Sequence, residues 1–319
     1  MSNWGRTDTR LTHSALLRFV PIFLRERLEL TYRRCVQDSL FTWGDTGRDA
    51  EAVRMPQRLR VLITVTAAPN PSAAHGETVC VAGLQVGVES TQWVRLYPMN
   101  VRHLGPDARF HKYDIIEVDA TPARNDSRVE SWRPDIGTFK LVSSQRTSWA
   151  RRPWVEPVVQ PSMCALLDGV AASPSAQSLA LVRPTTISGL ALKPHPGWND
   201  QEQAKINAYV NQLDLFDDQE KSPLQAPRFK GWYQYRCTED RCRGHEQGLL
   251  DWEFVAFQRR LARMDDAAAK KAIEAKFMGM VCDPGKDTCF FVGNQAKHRN
   301  TFSVLGMWYP PATTRVRAP

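Results

Sequence analysis

Short apolar, β-branched segments follow one another between residues 59 and 144, and this succession constrains the fold most. Four of them have the length of a strand, and two further strand candidates follow within SRVESWRP and GTFKLVSS. The four are LRVLITVTA (59–67), ETVCVAGLQV (77–86), TQWVRLYP (91–98) and YDIIEVDA (113–120). Short strands that succeed one another without a long helix between them predict a small closed barrel of the OB or SH3 type. A β-sandwich is the alternative.

A second set of strand candidates lies in the C-terminal half and encloses a helical region. Leu250, Phe254, Phe257 and Leu261 are spaced as on one face of a helix, and Asp265 marks the start of a second helix. The strand candidates around this pair lie within residues 178–194, 230–237, 289–295 and 302–310. We therefore predict an α+β fold with two small OB-like β-barrel domains, the second containing an inserted helical pair.

Changes in sequence character set the predicted domain limits. Residues 1–54 combine a helix candidate, interrupted by Pro21, with a polar stretch, so we expect an N-terminal extension that is helical or disordered. Met55 directly precedes the first strand and is a candidate for the true start. The other predicted limits are 55–158 for the first OB-like domain, 159–229 for a connecting segment and the start of the second, 230–311 for its remainder, and 312–319 for a disordered tail.

The segment YRCTEDRCRGH brings three metal-ligating residue types within nine positions. Cys237, Cys242 and His245 have the spacing C-x4-C-x2-H at a turn between a strand and a helix. Thiolate and imidazole are the donors that zinc prefers, and a structural zinc site needs four of them. We therefore predict a Cys/His metal knuckle that binds zinc. The alternative is that the two thiols are reduced and buried without a metal.

The fourth zinc ligand has to come from elsewhere in the chain. We favour His298, because the loop GNQAKHRN between the last two strands is able to fold back over the knuckle. Cys282 and Cys289 are the competing candidates. Cys289 opens an apolar strand, which favours a buried position over ligation.

Acidic residues directly after the knuckle raise a catalytic alternative. His245, Asp251 and Glu253 lie in one short segment, and metal-dependent hydrolysis of phosphodiesters uses such residues around a metal with an open coordination position. However, two thiolates beside the histidine favour a closed zinc site, because hydrolytic magnesium sites use oxygen donors. Acidic residues in the first turn of a helix are also favoured by the helix dipole alone. We therefore assign no catalytic residue.

The basic charge of the chain indicates a polyanionic partner. The net charge is +8, and residues 223–319 carry 16 basic and 10 acidic side chains. A basic excess concentrated around the knuckle is typical of nucleic-acid-binding proteins, although a solvated basic face without a partner has the same composition. The candidate nucleic-acid-binding residues are Arg95, Tyr97, Arg241, Arg243, Arg259, Arg260, Lys297 and Arg299. Of these, Tyr97 and Arg95 lie where a barrel face is able to stack bases and hold phosphates. The alternative is that the aromatic residues around Arg95 line the mouth of the barrel.

Cysteine usage and hydropathy indicate a cytoplasmic protein. The seven cysteines are odd in number and several are widely separated, which argues against a secreted disulfide framework. No run of about 18 apolar residues is present, so we expect no membrane span. The early segment LLRFVPIFL is broken by Arg18 and Pro21 and is a poor signal peptide.

Several motifs, in their order along residues 57–311, resemble a family of bacterial proteins described as dual OB-containing. The motifs are GETVCVAGLQ, WVRLYP, KYDIIEVDATPARNDSRVESWRP, YRC-x4-C-x2-H, LLDWEF and FFVGNQAKH-x2-TF. These proteins occur in or near mobile-element and phage-defence gene neighbourhoods. The resemblance implies two OB-like barrels, with Cys237, Cys242, His245 and His298 as ligands in the second. It also implies nucleic-acid binding, DNA or RNA, in an antiviral defence or mobile-element system, beside subunits from the same operon.

Three hypotheses for the function follow. The first is a nucleic-acid-binding, zinc-stabilised protein without turnover of its own. The second is a metal-dependent nuclease centred on the segment from His245 to Glu253. The third is a structural adaptor subunit whose basic surface contacts an acidic partner protein.

Overall fold

A computed structural model describes residues 55–73, 76–99, 109–124, 126–173, 175–211 and 222–312. The predictions made for residues 1–54, and for the tail beyond residue 312, lie outside the described residues. No helix within these described ranges is both long and apolar enough to cross a membrane.

The first half of the described chain forms a closed barrel. Its strands are β1 (Gln57–Thr66), β2 (Asn70–Ser72), β3 (Gly76–Gln85), β4 (Gln92–Met99), β5 (Asp114–Pro122) and β6 (Ser131–Ser144). Pairing runs β1-β5-β6-β4-β3 and closes through β3 onto β1, with β2 added at the edge of β3. All of these pairs are antiparallel except β4–β6, which is parallel. Five strands in this Greek-key order make an OB-type barrel.

Alternation of side chains along the strands fills the barrel with branched residues. Val61, Ile63, Val81, Leu96 and Val118 are all fully buried in one cluster. At the β1–β3 contact, a Cβ at Gly83 would lie 2.2 Å from the Leu62 carbonyl oxygen, so only glycine permits this close approach.

The last strand of the first barrel differs from the sequence prediction. The two strand candidates around residues 127–144 are one long strand, β6. Register shifts between Ile115 and Ile116, and between Glu117 and Asp119, mark bulges in the β5–β6 ladder. Bulges bend a strand while pairing continues, so β6 follows the curvature of the barrel without a break.

The segment between the barrels is partly helical. It comprises α1 (Ser148–Val155), a 3-10 turn (Glu156–Val158), β7 (Val159–Gln160) and α2 (Met163–Ala172). The Thr147 side chain caps α1, and the Ser162 side chain caps α2 by accepting a hydrogen bond from the amide of Ala165.

The second half repeats the strand order of the first with a broken first strand. Its elements are β8 (Leu179–Val182), β9 (Thr186–Pro194), α3 (Asp200–Val210), β10 (Phe229–Arg236), β11 (His245–Gly248), α4 (Trp252–Arg260), α5 (Asp266–Glu274), a π-helical turn (Ala275–Met280), β12 (Cys289–Gln295) and β13 (His298–Trp308). β8 pairs with β12, and β9 pairs with β10. A parallel bridge between Leu249 and Val304 joins the end of β11 to β13.

If β8 and β9 are counted as one strand, the second half is also a five-stranded barrel of the OB order. Pro184 lies between β8 and β9, and proline has no amide hydrogen with which to continue a ladder. The helical pair α4–α5 lies between the third and fourth strands of this barrel, as the sequence predicts. The predicted α+β class with two OB-like barrels is confirmed.

The two barrels are joined by polar and apolar contacts. Arg95 of β4 is buried and donates to the carbonyl and hydroxyl oxygens of Ser178, which in turn donates to Glu130. The rings of Trp93 and Phe291 lie edge to face, with centroids 6.2 Å apart. The barrels therefore share one buried interface. The predicted domain limits stay a prediction.

Candidate metal centre and nucleic-acid interface

The hairpin between β10 and β11 carries three of the predicted ligands. Cys237 directly follows β10, the amide of Cys242 donates to the Glu239 carbonyl at 2.9 Å, and His245 begins β11. Gly244 has a φ of +106°, a conformation that residues with a side chain rarely adopt. This glycine reverses the chain tightly, so Cys242 and His245 return to the end of β10.

A residue that sequence reasoning missed completes the cluster. Cys164 lies in the first turn of α2, and α2 is held to the hairpin because Thr238 donates to the Pro161 carbonyl through both its amide and its hydroxyl. Cys164, Cys237, Cys242 and His245 place one potential donor atom each within 4.8 Å of one another. We call these four residues the Cys/His cluster.

The separations in the Cys/His cluster fit a single tetrahedral metal ion. The sulfurs of Cys164 and Cys237 are 3.6 Å apart, and His245 Nε2 lies 3.3 Å from Cys242 Sγ and 3.6 Å from Cys164 Sγ. Zinc–sulfur bonds of about 2.3 Å and zinc–nitrogen bonds of about 2.0 Å give tetrahedral edges of roughly 3.5–3.8 Å. A disulfide would need about 2.05 Å between sulfurs, so these thiols are free. Four protein donors leave no position for a substrate.

Charge within the cluster is distributed unevenly. Burial acts to raise the pKa of the Cys237 thiol, but hydrogen bonds from the amides of Cys164 and Glu239 and from His245 lower that pKa to about 5. Burial and the neighbouring Cys237 raise the pKa of the Cys164 thiol to about 12. The metal-free cluster thus already favours a thiolate at Cys237, and thiolate is the form that binds metals.

The residues considered for the fourth position lie elsewhere. His298 is the first residue of β13, is exposed, and pairs with Gln295 across the tight β12–β13 hairpin, so this segment does not fold back over the cluster. Cys282 donates to the Phe277 carbonyl, and Cys289 is fully buried in β12. The geometry corrects the sequence-based choice of His298, because α2 rather than the hairpin approaches the knuckle.

The segment proposed for nuclease chemistry is divided between two environments. His245 faces the thiols, whereas Asp251 is buried as the N-cap of α4 and accepts from the amide of Glu253 at 2.9 Å. Glu253 lies at a cavity beside Lys112. Within the described ranges, Asp251 and Glu253 belong to no group of three or more metal-ligating side chains.

The predicted nucleic-acid-binding residues are distributed over several elements. Arg95 is 3% exposed and serves the barrel interface, so it is not available to a nucleic acid. Arg299 is half-buried and donates to the Ser173 carbonyl. The others are exposed: Arg241 in contact with Asp168, Arg243 beside the Cys/His cluster, Arg259 and Arg260 over aromatic rings on α4, and Lys297 at the β12–β13 turn.

Tyr97 is the predicted residue that lies in a substantial cleft. Its side chain is 47% exposed at the end of β4, in a cleft of about 780 Å³. Pro98, the 121–133 region and Ala296 of the β12–β13 turn line the rest of this surface, which we call the Tyr97 cleft. Among the described residues, the exposed guanidinium groups of Arg124 and Arg133 face no carboxylate partner in this cleft.

Arg124 and Arg133 were missed because their segment, ARNDSRVESWRP, contains charges of both signs and resembles a solvated loop. The acidic side chains of this segment, however, are bound to other groups of the protein. Asp126 binds Arg128, and Arg128 donates to the Asn294 carbonyl in the second barrel. The mixed charge pattern therefore gave no sign that Arg124 and Arg133 are without a carboxylate partner in the part of the chain that the structure describes.

Comparisons with known proteins bear on the family rather than on the activity. Residues 57–157 match the model of a family described as Domain of unknown function (DUF8758). No curated protein has a significantly similar sequence. A solved structure titled "Crystal structure of p204 HINb domain" matches with 9% identity and a TM-score of 0.26, covering 81% of this chain and 97% of that chain. A TM-score this low does not establish a common fold, so the OB assignment rests on the strand order.

Residues 159–319 match the model of a family described as Domain of unknown function (DUF8757), and this match spans half of the chain. The chain therefore belongs to the family described as Domain of unknown function (DUF8757).

Proposed function

We propose that this chain binds nucleic acid in the Tyr97 cleft and has no turnover of its own. The observation that carries the proposal is the exposed ring of Tyr97 in one cleft with Arg124 and Arg133, which have no carboxylate partner among the described residues of the cleft. The cleft follows the third strand of the first barrel and the loop between its fourth and fifth strands. OB barrels bind oligonucleotides with these same parts of the fold.

The chemistry of the cleft favours an unpaired strand. An exposed tyrosine ring stacks on any base, and such stacking contributes about 1–3 kcal/mol per base. Arginines bind the phosphates on either side, and binding then weakens as salt displaces the nucleic acid. A surface built in this way recognises the backbone and the base faces more than the sequence.

Fluorescence anisotropy with labelled single-stranded DNA and RNA tests this function. We expect Tyr97→Ala to weaken binding about 10-fold through lost stacking. The Arg124→Ala/Arg133→Ala double variant should also lower the slope of log affinity against log salt by about 1.4, which corresponds to two phosphates.

Arg263→Ala/Lys271→Ala removes two exposed cationic side chains outside the cleft and is the matched control for the loss of two positive charges. Equal affinity of the wild type, Tyr97→Ala and the double variant would exclude the Tyr97 cleft as the binding surface. No binding of either nucleic acid at low salt would favour the adaptor hypothesis instead.

Zinc in the Cys/His cluster is the second part of the proposal. The Cys₃His donor set and the donor separations support zinc over magnesium or calcium, which prefer oxygen ligands. Zinc would link α2 to the β10–β11 hairpin and stabilise the second barrel. The closed coordination argues for a structural metal, and this disfavours nuclease chemistry at His245.

The biological setting is proposed from the sequence resemblance alone. Similarity to dual OB-containing bacterial proteins supports a cytoplasmic role in a defence or mobile-element system, together with subunits from the same operon. Co-purification of the tagged chain from its native host, with and without nuclease treatment, tests this setting. Recovery of operon-encoded proteins supports it, and recovery of the chain alone contradicts it.

A further inference from the structure

A cavity of about 220 Å³ lies where the two barrels meet, outside the Cys/His cluster and the set of residues that line the Tyr97 cleft. Lys112 of the first barrel, Ser148 and Arg151 of α1, Glu253 of α4 and Tyr309 after β13 contribute to its lining. We call it the Lys112 pocket. Its lining contains two cationic side chains and one carboxylate, so the pocket carries a net positive charge.

Lys112 is a mostly buried cation that is incompletely paired. Its side chain is 13% exposed, and Nζ donates to the Met307 carbonyl at 2.9 Å. Glu253 Oε2 is 3.8 Å from Nζ, which is beyond hydrogen-bonding distance. An ammonium has three N–H donors, and among the described residues the Met307 carbonyl takes one of them, so two remain for a ligand. Burial of a cation whose hydrogen bonds are incomplete is costly, and a bound anion would lower that cost.

Arg151 presents a fixed guanidinium to the same cavity. Its Cζ lies 3.9 Å from the centroid of the Tyr113 ring, and its Nε and Nη2 donate to the carbonyls of Gln145 and Arg146 at 2.7 and 2.8 Å. Both acceptors are neutral, so the positive charge of Arg151 is held in place without being neutralised. A preorganised guanidinium suits the geometry of phosphate oxygens.

The backbone at Tyr113 supports a functional role for this region. Tyr113 has a φ of +71°, which is unusual for a bulky residue with a Cβ. It is held there because its amide donates to the Ile63 carbonyl at 2.6 Å and its hydroxyl to the Met307 carbonyl at 3.3 Å. Strained residues that the surrounding structure enforces occur preferentially at binding sites. Here the strained residue places Lys112 and supports Arg151.

From these contacts we propose that the Lys112 pocket binds a phosphate monoester. Ser148, in the first turn of α1, adds a hydroxyl and the positive end of a helix to the two cations. The phosphate belongs either to a free nucleotide or to the end of a nucleic-acid strand. Glu253 lies at the rim, where its carboxylate opposes the anion and limits the affinity. This site does not depend on the Tyr97 cleft.

Isothermal titration of the full chain with inorganic phosphate and with adenosine monophosphate tests the proposal. We expect saturable binding at one site, weakened about 10-fold by Arg151→Gln and strengthened about 3-fold by Glu253→Gln. Opposite effects from two half-buried residues separate ligand binding from a general loss of stability. Arg263→Gln, which removes an exposed charge outside the pocket, should leave the affinity unchanged.

Oligonucleotides of one sequence with a 5′-phosphate or a 5′-hydroxyl identify the source of the phosphate. Tighter binding of the phosphorylated strand, lost in Arg151→Gln but retained in Tyr97→Ala, assigns the pocket to strand ends. Binding of the mononucleotide without this preference assigns it to free nucleotides. The proposal would be overturned if the wild type bound neither phosphate nor the mononucleotide in a saturable way. It would also be overturned if Arg151→Gln bound them as tightly as the wild type.

Discussion

The two barrels have the same strand order but differ in how they are closed. In the first barrel, β1 is continuous over ten residues and pairs with both β3 and β5. In the second, the equivalent strand is divided at Pro184, and its two parts pair with different partners. The parallel closure is also shorter in the second barrel: one bridge between Leu249 and Val304 replaces two residue pairs between β4 and β6.

The Cys/His cluster lies in the barrel with the weaker closure. Its residues bring together α2 and the hairpin that connects the second and third strands, β10 and β11. The first barrel, which carries the exposed Tyr97 cleft, is closed by continuous strand pairing. On the proposed function, one barrel is closed by its ladder and binds nucleic acid, and the other is cross-linked by a metal ion.

Metal removal should have the largest effect and should act on the second barrel. We expect a strong chelator, or the Cys164→Ala/Cys237→Ala variant, to lower the free energy of unfolding by at least about 4 kcal/mol, since structural zinc sites supply about 10–16 kcal/mol in small domains. Hydrogen exchange followed by mass spectrometry should show faster exchange in β10 and β11. Unchanged exchange in β1 and β3 is the internal control, and equal loss of protection in both barrels would contradict the comparison.

Glycine substitutions should have the next largest effect on stability, and the size of the effect should differ between the two barrels. A Cβ at Gly83 would lie 2.2 Å from a backbone oxygen of β1, whereas one at Gly293 would meet the ends of the Leu305 and Leu179 side chains at 2.6 and 2.9 Å. Backbone moves less readily than a leucine terminus, so we expect Gly83→Ala to cost about 3 kcal/mol and Gly293→Ala about 1 kcal/mol. Chemical denaturation measures both. A larger cost at Gly293 would show that the second barrel is the more rigid.

A residue at the junction of the barrels should make the free energy of unfolding depend on pH, with an effect of intermediate size. The pKa of Asp251 is raised from 3.8 to about 7. Burial is the largest cause and the charge of Glu253 adds to it, whereas attraction to Lys112 and Lys276 acts to lower the pKa. The folded protein therefore holds this proton more tightly than the unfolded chain does. As a result, the stabilising contribution of Asp251 is complete below about pH 4 and is lost as the pH rises to about 7.

Asp251→Asn retains an oxygen that accepts the Glu253 amide but cannot ionise. We expect this variant to be about 2 kcal/mol more stable than the wild type near pH 8 and nearly equal to it near pH 4. Thermal unfolding over this range measures the difference. A variant that is less stable than the wild type near pH 8 but equal to it near pH 4 would show that the carboxylate charge is required.

The smallest effect is expected for an ion pair that connects the same elements as the Cys/His cluster. Asp168 of α2 contacts Arg241 of the hairpin, and both side chains are largely exposed. Exposed ion pairs contribute little because water screens them. Asp168→Asn should therefore leave the melting temperature within error of the wild type. A marked decrease would mean that charge, rather than a metal, holds α2 to the hairpin.

The sequence predicted the elements of the fold more reliably than their contacts. Alternation and β-branching located β1, β3, β4 and β5, and the apolar stripe from Leu250 to Leu261 located α4, because these signals are local. The division of 178–194 into two strands was missed, although Pro184 within that segment is a visible signal. The single strand β6 was also missed, because bulges leave no distinct pattern in composition.

The site residues were predicted where their spacing is local and missed where it is not. Cys237, Cys242 and His245 lie on one hairpin, whereas Cys164 is 73 residues upstream of Cys237 and reaches it only through the packing of α2. Arg95 alternates with apolar residues as an exposed side chain would. The second barrel covers that face of β4, and only Tyr97, further along the strand, remains exposed.

Elemental analysis of the full chain purified without added metal tests the central contrast most directly. Wild type, Cys164→Ala and His298→Ala would be measured side by side. One zinc ion per chain in the wild type and in His298→Ala, together with its loss in Cys164→Ala, is the predicted result. A metal-free, folded wild type would contradict the account, and so would zinc that persists in Cys164→Ala but is lost in His298→Ala.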